Sequence, residues 1–430
     1  VIDDATKKIE SNSLFEIKED TAKDATVAAA AQKIIDRIDK EYGAVFAKSE
    51  VVLNGAKAPN GNRDSETNNG DLITDAMVWK ILQDKESLTV DADHVVAVTN
   101  GGGIRKAINP GDVTKKNINE VLPFGNTVVT IYITGAELLE ALEASTYCTP
   151  DAIGGFPQVS GINYTISTAV AYDANAETYP ASTYYGPKSI NRVTINSING
   201  KEFKADDTYA VITNDFCGGG GDTYYAFAAA TAKFDTGIPL DEVVMEYITA
   251  ELKGVIGKQY AAPQGRILMN PFADVKASSW FGKYVIDLYN DGIINGTSAT
   301  TYAPNNTLTW AAALKLLLVS NGDLKAADAT GADWSKNAIA KAAELGLVAA
   351  DLDGAKAISR LEFCQVAAKL NKLAESKTES KFTDCTDGYV MALVDAKVIS
   401  GMTETTFEPA ASLTRAQIAK ILYQLTLIEK

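Results

Sequence analysis

Between about residues 45 and 270, short runs rich in β-branched residues (VVAVTN, TVVTIYIT, INYTIST, RVTINSI, TYAVITN) alternate with amphipathic helical stretches. GDLITDAMVWKILQ, TGAELLEALEAS and LDEVVMEYITAEL are the clearest helices. This alternation predicts an α/β domain, a mixed sheet with flanking helices and a ligand site on loops at strand ends. Two of the runs pass directly into glycine-rich loops, TNGGGIR and TNDFCGGGGD. SEVVLNG reads as a further strand, and residues 23–42 place Val27, Ala30, Ala31, Ile34, Ile35 and Ile38 on one stripe of a helix. Residues 1–22 are polar, lack periodicity and read as a tail or linker.

The loops carry a coherent set of side chains. Arg63 lies in NRDSETNNGDLITDA, Asn100 to Arg105 in TNGGGIR, Phe124 in LPFGN, and Phe216 to Asp222 in NDFCGGGGD. Two arginines at loop positions suit a phosphate, because the guanidinium fork stays charged and pairs oxygens bidentately. Two phenylalanines beside glycines suit a flat base held by stacking. A carboxylate at Asp222 suits ribose hydroxyls. Taken singly, each has a plainer reading: glycines at positive φ in a turn, Phe124 in a core, Arg63 as a solvated charge.

Other classes are disfavoured. His94 is the one histidine, and it precedes an apolar run, so it reads as structural. Cys148, Cys217, Cys364 and Cys385 show no metal-ligand spacing and no disulfide framework, though they leave room for one bridge. No metal site and no catalytic residue is therefore assigned within the chain. A net charge of −15 argues against nucleic acid as the main partner. No run of eighteen apolar residues spans a membrane. Val1 follows neither a signal peptide nor an initiator Met, and the chain reads as a mature or excised portion of something longer.

ETNNGDLITDAM, TNGGGIR, LPFGNTVV, TGAELLEALE, GGFPQVSGINY and NDFCGGGGD occur in an order and spacing that resembles the C-terminal, substrate-binding domain of the 5′-nucleotidase family, over residues 24–269. The resemblance implies that the base stacks between Phe124 and Phe216. It also implies that Arg63, Asn100, Arg105 and Asp222 face phosphate and ribose, with Gly102 and Asn126 completing the nucleotide-binding set. It further implies a divalent metal pair on an N-terminal metallophosphatase domain that is not among these residues. Two departures stand out. Asn68, Asn69, Gly70 and Asp71 replace the usual N-L-G-N, adding a carboxylate, and Asp215 stands where the family commonly has Asn.

After Pro271 an internal repeat begins. LYNDGIINGTSATTYAPNNTLTW aligns with LVDAKVISGMTETTFEPAASLTR at a constant offset of 105 residues, Leu288 with Leu393 and Thr309 with Thr414. Each copy follows an F-x-D element, ending at Asp274 and Asp384, and a shortened copy lies between them. Thr309, Ser359 and Thr414 read as helix N-caps. The units resemble S-layer homology repeats, at 271–322, 323–376 and 380–430, with residues 1–23 as linker. The resemblance implies an all-α domain of three repeats in a pseudo-threefold arrangement. It also implies polysaccharide-binding residues Asp274, Trp310, Arg360, Asp384 and Arg415, and an extracellular place on a bacterial cell wall or S-layer. Arginine beside a helix N-terminus suits an anionic sugar; Trp310 departs from it.

The two resemblances together predict the substrate-binding and wall-anchoring portion of an extracellular 5′-nucleotidase, with a nucleotide or nucleoside and secondary cell-wall polysaccharide as partners. The alternative is a non-catalytic surface protein that binds both.

Overall fold

The computed structural model describes residues 5–9, 11–171 and 190–428. Its centre is a five-stranded sheet in the order Pro157–Ser160, Val95–Asn100, Thr208–Asn214, Thr127–Thr134, Ala232–Pro239. Val95–Asn100 and Thr208–Asn214 run parallel, and the other neighbours are antiparallel. Register decides what gathers where. Asn100 pairs with Pro157, and Val128 pairs with Asn214. The carboxyl ends of the two parallel strands therefore meet the amino ends of their antiparallel neighbours at one edge. The loops holding Gly101–Gly103, Phe124–Asn126, Gly154–Phe156 and Asp215–Asp222 all leave from that edge.

The period-two alternation of the strands explains the layers. Val95, Ala97, Ala210 and Ile212 point into one core, roofed by the helices Asn68–Leu82 and Leu240–Ala250. Val96, Val98, Tyr209 and Val211 point into the opposite core, roofed by Gly135–Ser145. All six residues of Val95–Asn100 are buried, as expected for a strand covered on both faces. Two three-stranded sheets flank this centre.

Three expectations change. The strand expected in SEVVLNG lies earlier, at Val45–Ser49, with only Leu53 making an isolated bridge, to Ile108. The helix expected over 23–42 forms as Ala25–Tyr42, capped by Asp24, yet none of its residues is buried and its stripe faces solvent, Val27 at 67% exposure. The glycines of TNGGGIR do not serve positive φ, for none of Gly101, Gly102 and Gly103 adopts it. They serve close approach: a Cβ on Gly101 would lie 1.6 Å from the Asn62 carbonyl oxygen.

Beyond Pro271 the described chain is helical around one core. Thr309, Ser359 and Thr414 accept hydrogen bonds from the N–H groups of Ala312, Glu362 and Gln417, as N-caps do. The next N–H groups are satisfied from elsewhere. Trp310 and Ala311 donate to Lys356 and Gly354, Arg360 and Leu361 to Ala411 and Pro409, and Arg415 and Ala416 to Asn306 and Pro304. Each helix start is thus closed by the loop before the next helix start, and the last returns to the first. The two regions are joined at Asn290, whose amide both donates to and accepts from the Met269 backbone.

Candidate functional site

A cleft of about 440 Å³ opens at the converging sheet edge. Arg63, Asn100, Gly102, Phe124, Asn126, Phe216 and Asp222 line it together with Gly103 and Gly154. Phe124 and Phe216 are exposed at 61% and 46%. Rings of that size left in solvent beside a cleft fill no core, which answers the plainer reading of Phe124 as core. Arg105 does not line the cleft. Its guanidinium lies 5.7 Å from the Phe124 ring centroid and donates to the Gly102 carbonyl, so it packs against the ring.

Asp222 is held with care. Asn100 donates to its Oδ2 at 2.7 Å, and Asn214 in turn donates to Asn100 Oδ1 at 3.1 Å. Its backbone sits at φ +52°, which Asp tolerates better than most residues. Burial pushes its carboxyl above the ordinary value, opposed by the Asn100 hydrogen bond and the Arg63 charge. The arrangement presents a fixed acceptor to the cleft.

Asp71, the extra carboxylate, does not reach the cleft. Asp71 is fully buried and, with Glu66 and the half-buried Asp75, surrounds Arg266, whose guanidinium lies 3.4 Å from Asp71 and 2.8 Å from Asp75. Burial, followed by the Glu66 charge, pushes the Asp71 carboxyl up to about 9, with Arg266 opposing. The pair Glu66 and Asp71 therefore keeps a proton near neutral pH. The network also ties the backbone of Gln264 and Ile267 to this helix start.

A larger cleft, of about 770 Å³, lies beside His94 and Asp207. His94 Nδ1 sits 2.6 Å from Asp93, and its ring stacks on Tyr209. None of the expected binding residues lines this second cleft, so convergence and not volume makes the first the candidate. Gly103 stands within the expected Asn100 to Arg105 loop, whereas Gly154 and Asn214 were not among the expected site residues. Gly154 stands in the quoted GGFPQVSGINY, and its carbonyl accepts the Gly102 N–H at 2.7 Å, a backbone contact with no residue signature.

The expected wall-binding residues fall in equivalent junctions and not in one pocket. Asp274 accepts from the N–H groups of Tyr302 and Ala303, and Asp384 from those of Phe407 and Glu408. Arg415 lies 4.4 Å from the Tyr302 centroid and donates to Tyr302 and Asn295 carbonyls; Arg360 lies 4.7 Å from Phe407 and donates to Ser400. Both arginines, expected to face an anionic sugar, are engaged within the protein, and Arg360 is 7% exposed. Trp310 is buried at 8% exposure in the third junction, against the Gly354–Lys356 loop. All four cysteines are free.

The 5′-nucleotidase C-terminal domain family matches residues 45–229, which contain every residue of the cleft. The S-layer homology domain family matches residues 271–313 and 384–419. The chain carries a 5′-nucleotidase C-terminal domain over residues 45–229, followed by S-layer homology domains. The nucleotidase domain is similar to part of the trifunctional nucleotide phosphoesterase protein YfkN of Bacillus subtilis (strain 168), at 36% identity over 221 residues, 51% of this chain and 13% of that protein. It is similar to the 5′-nucleotidase of Mus musculus at 30% identity over 249 residues, 57% of this chain and 40% of that one. Among solved structures, the 5′-nucleotidase precursor from Thermus thermophilus aligns with a TM-score of 0.44 and 32% identity, covering 57% of this chain and 42% of that chain. The chain spans less than half the length of each of these three relatives.

Proposed function

We propose that this chain is the substrate-binding and cell-wall-anchoring portion of an extracellular 5′-nucleotidase. The convergence of Arg63, Asn100, Phe124, Phe216 and Asp222, from separate loops, on one cleft carries the proposal. The base stacks between Phe124 and Phe216, the ribose hydroxyls donate to Asp222, and Arg63 meets the phosphate. Gly102 shapes the floor, Arg105 supports Phe124, and Asn126 meets the base edge.

Among the described residues, no group of three or more His, Cys, Asp or Glu is placed to hold a metal ion. We assign them recognition, and the divalent pair and catalytic residues of the hydrolysis to a metallophosphatase domain outside them. The same donor set favours a second reading, a surface protein that binds nucleotides without hydrolysing them. Phosphate release from 5′-AMP by the intact protein with added divalent metal separates the two.

Residues 24–269 form the nucleotide-binding unit in this proposal, and 271–322, 323–376 and 380–430 form three S-layer homology repeats. The cyclic closure of helix starts supports a pseudo-threefold arrangement of these repeats. They hold the protein on secondary cell-wall polysaccharide at a bacterial surface. No described helix is long and apolar enough to cross a membrane. Calorimetric titration of the chain with adenosine and 5′-AMP, without metal, tests the cleft: saturable binding, tighter for the phosphate, is expected, and no binding of either rejects it. Co-sedimentation with purified walls, lost when the polysaccharide is stripped, tests the anchor.

A further inference from the structure

One side-chain hydrogen bond joins the two ring-bearing loops of the cleft. Asn126 Nδ2 donates to Asp215 Oδ1 at 2.7 Å. Asn126 follows Phe124 by two residues, and Asp215 immediately precedes Phe216. A carboxylate has no proton to give, so the amide turns its NH2 group toward Asp215; that polarity follows from the partner and not from telling two similar atoms apart. The other end of the amide, Asn126 Oδ1, is left as an acceptor on a residue that lines the cleft.

We propose that Asp215 is a specificity-determining positioning residue: it fixes the Asn126 amide so that the cleft offers an acceptor to the edge of the stacked base, selecting bases with an exocyclic amino group. The proposal rests on the nucleotide reading of the cleft. Stacking between two rings accepts any base, so discrimination must come from the base edge. An amino group opposite Asn126 Oδ1 makes a hydrogen bond. An edge that only accepts leaves two acceptors facing each other, and both lose their water without compensation. An asparagine at position 215 donates or accepts equally well and lets the Asn126 amide turn to suit either edge. Aspartate removes that freedom, so the departure at this position narrows the choice of base.

Adenosine and purine riboside, in which hydrogen replaces the 6-amino group, are the probes. Calorimetry on the full chain is expected to favour adenosine by about three- to tenfold, the worth of one net hydrogen bond. In Asp215→Ala and in Asn126→Ala that ratio is expected to fall toward one while adenosine still binds through the rings. A merely structural role would weaken both nucleosides equally and leave the ratio unchanged. Asp215 is exposed and Asn126 half-buried, so both variants are expected to fold. A wild-type ratio near one, or a ratio that survives both substitutions, overturns the proposal and leaves the nucleotide reading standing. Failure of wild-type protein to bind either nucleoside overturns both.

Discussion

Asn100 donates to Asp222 across 122 residues of sequence, at 2.7 Å. It is the hydrogen bond that restrains the carboxyl against the upward push of burial. Asn100→Ala is therefore expected to raise the Asp222 carboxyl further. A raised carboxyl protonates at higher pH and then offers hydroxyls a weaker acceptor, so the acid limb of nucleoside affinity against pH should move toward neutral. An unmoved limb, measured by calorimetry from pH 4.5 to 8, would show that Asp222 does not contact the ligand.

Phe216 is half exposed, so truncation costs the fold little and the ligand much. Phe216→Ala is expected to weaken adenosine by about 1–3 kcal/mol through loss of one stacking face. Phe124→Ala should do the same and also release Arg105 from its ring. Unchanged affinity in both would remove the clamp.

Asp71 makes a prediction about stability and pH. Its carboxyl in the folded protein is pushed up to about 9, far above its ordinary value of 3.8. Below the ordinary value both folded and unfolded chains hold the proton, and nothing is lost. As pH rises the unfolded chain ionises while the folded chain keeps its proton, so stability falls until the folded carboxyl itself ionises. Asp71→Asn keeps a neutral donor beside Glu66 at every pH. Calorimetric Tm is expected to fall less between pH 5 and 8.5 in the variant, which should be the more stable protein at the upper end. Parallel pH profiles would place the shared proton elsewhere.

Arg415 ties its helix start to Tyr302 and Asn295 from 113 and 120 residues away. Arg415→Ala is expected to destabilise the helical region by about 1–3 kcal/mol, from unpaired carbonyls and a lost cation–π contact. Lysine should not rescue it, since an ammonium lacks the planar fork. Adenosine affinity should stay at the wild-type value. Wild-type denaturant stability in the alanine variant would count against a structural role and return this arginine to the wall polymer.

What lay within a few residues was legible from sequence. The strands Val95–Asn100, Thr127–Thr134 and Thr208–Asn214 announce themselves by β-branched runs, and the caps at Thr309, Ser359 and Thr414 by a hydroxyl before a helical stretch. The cleft side chains were legible only as a set, through the order and spacing of motifs that resemble the 5′-nucleotidase family, since each alone has a plainer reading. Contacts between distant segments were not. Pro157–Ser160 and Ala232–Pro239 become strands only because a neighbour supplies hydrogen bonds, and their own residues carry little pattern. The role of Asp71 depended on Glu66 and Arg266 closing over it, and that of Arg360 on the Phe407 ring and the Ser400 carbonyl arriving from a distant segment. Asp215 was visible as a departure, but its partner Asn126 lies 89 residues away. Local sequence determined which groups this protein could offer, because conformational preference is a short-range property. Tertiary structure decided which of those groups remain free to bind, because a donor or charge is consumed by whichever partner folding brings within reach.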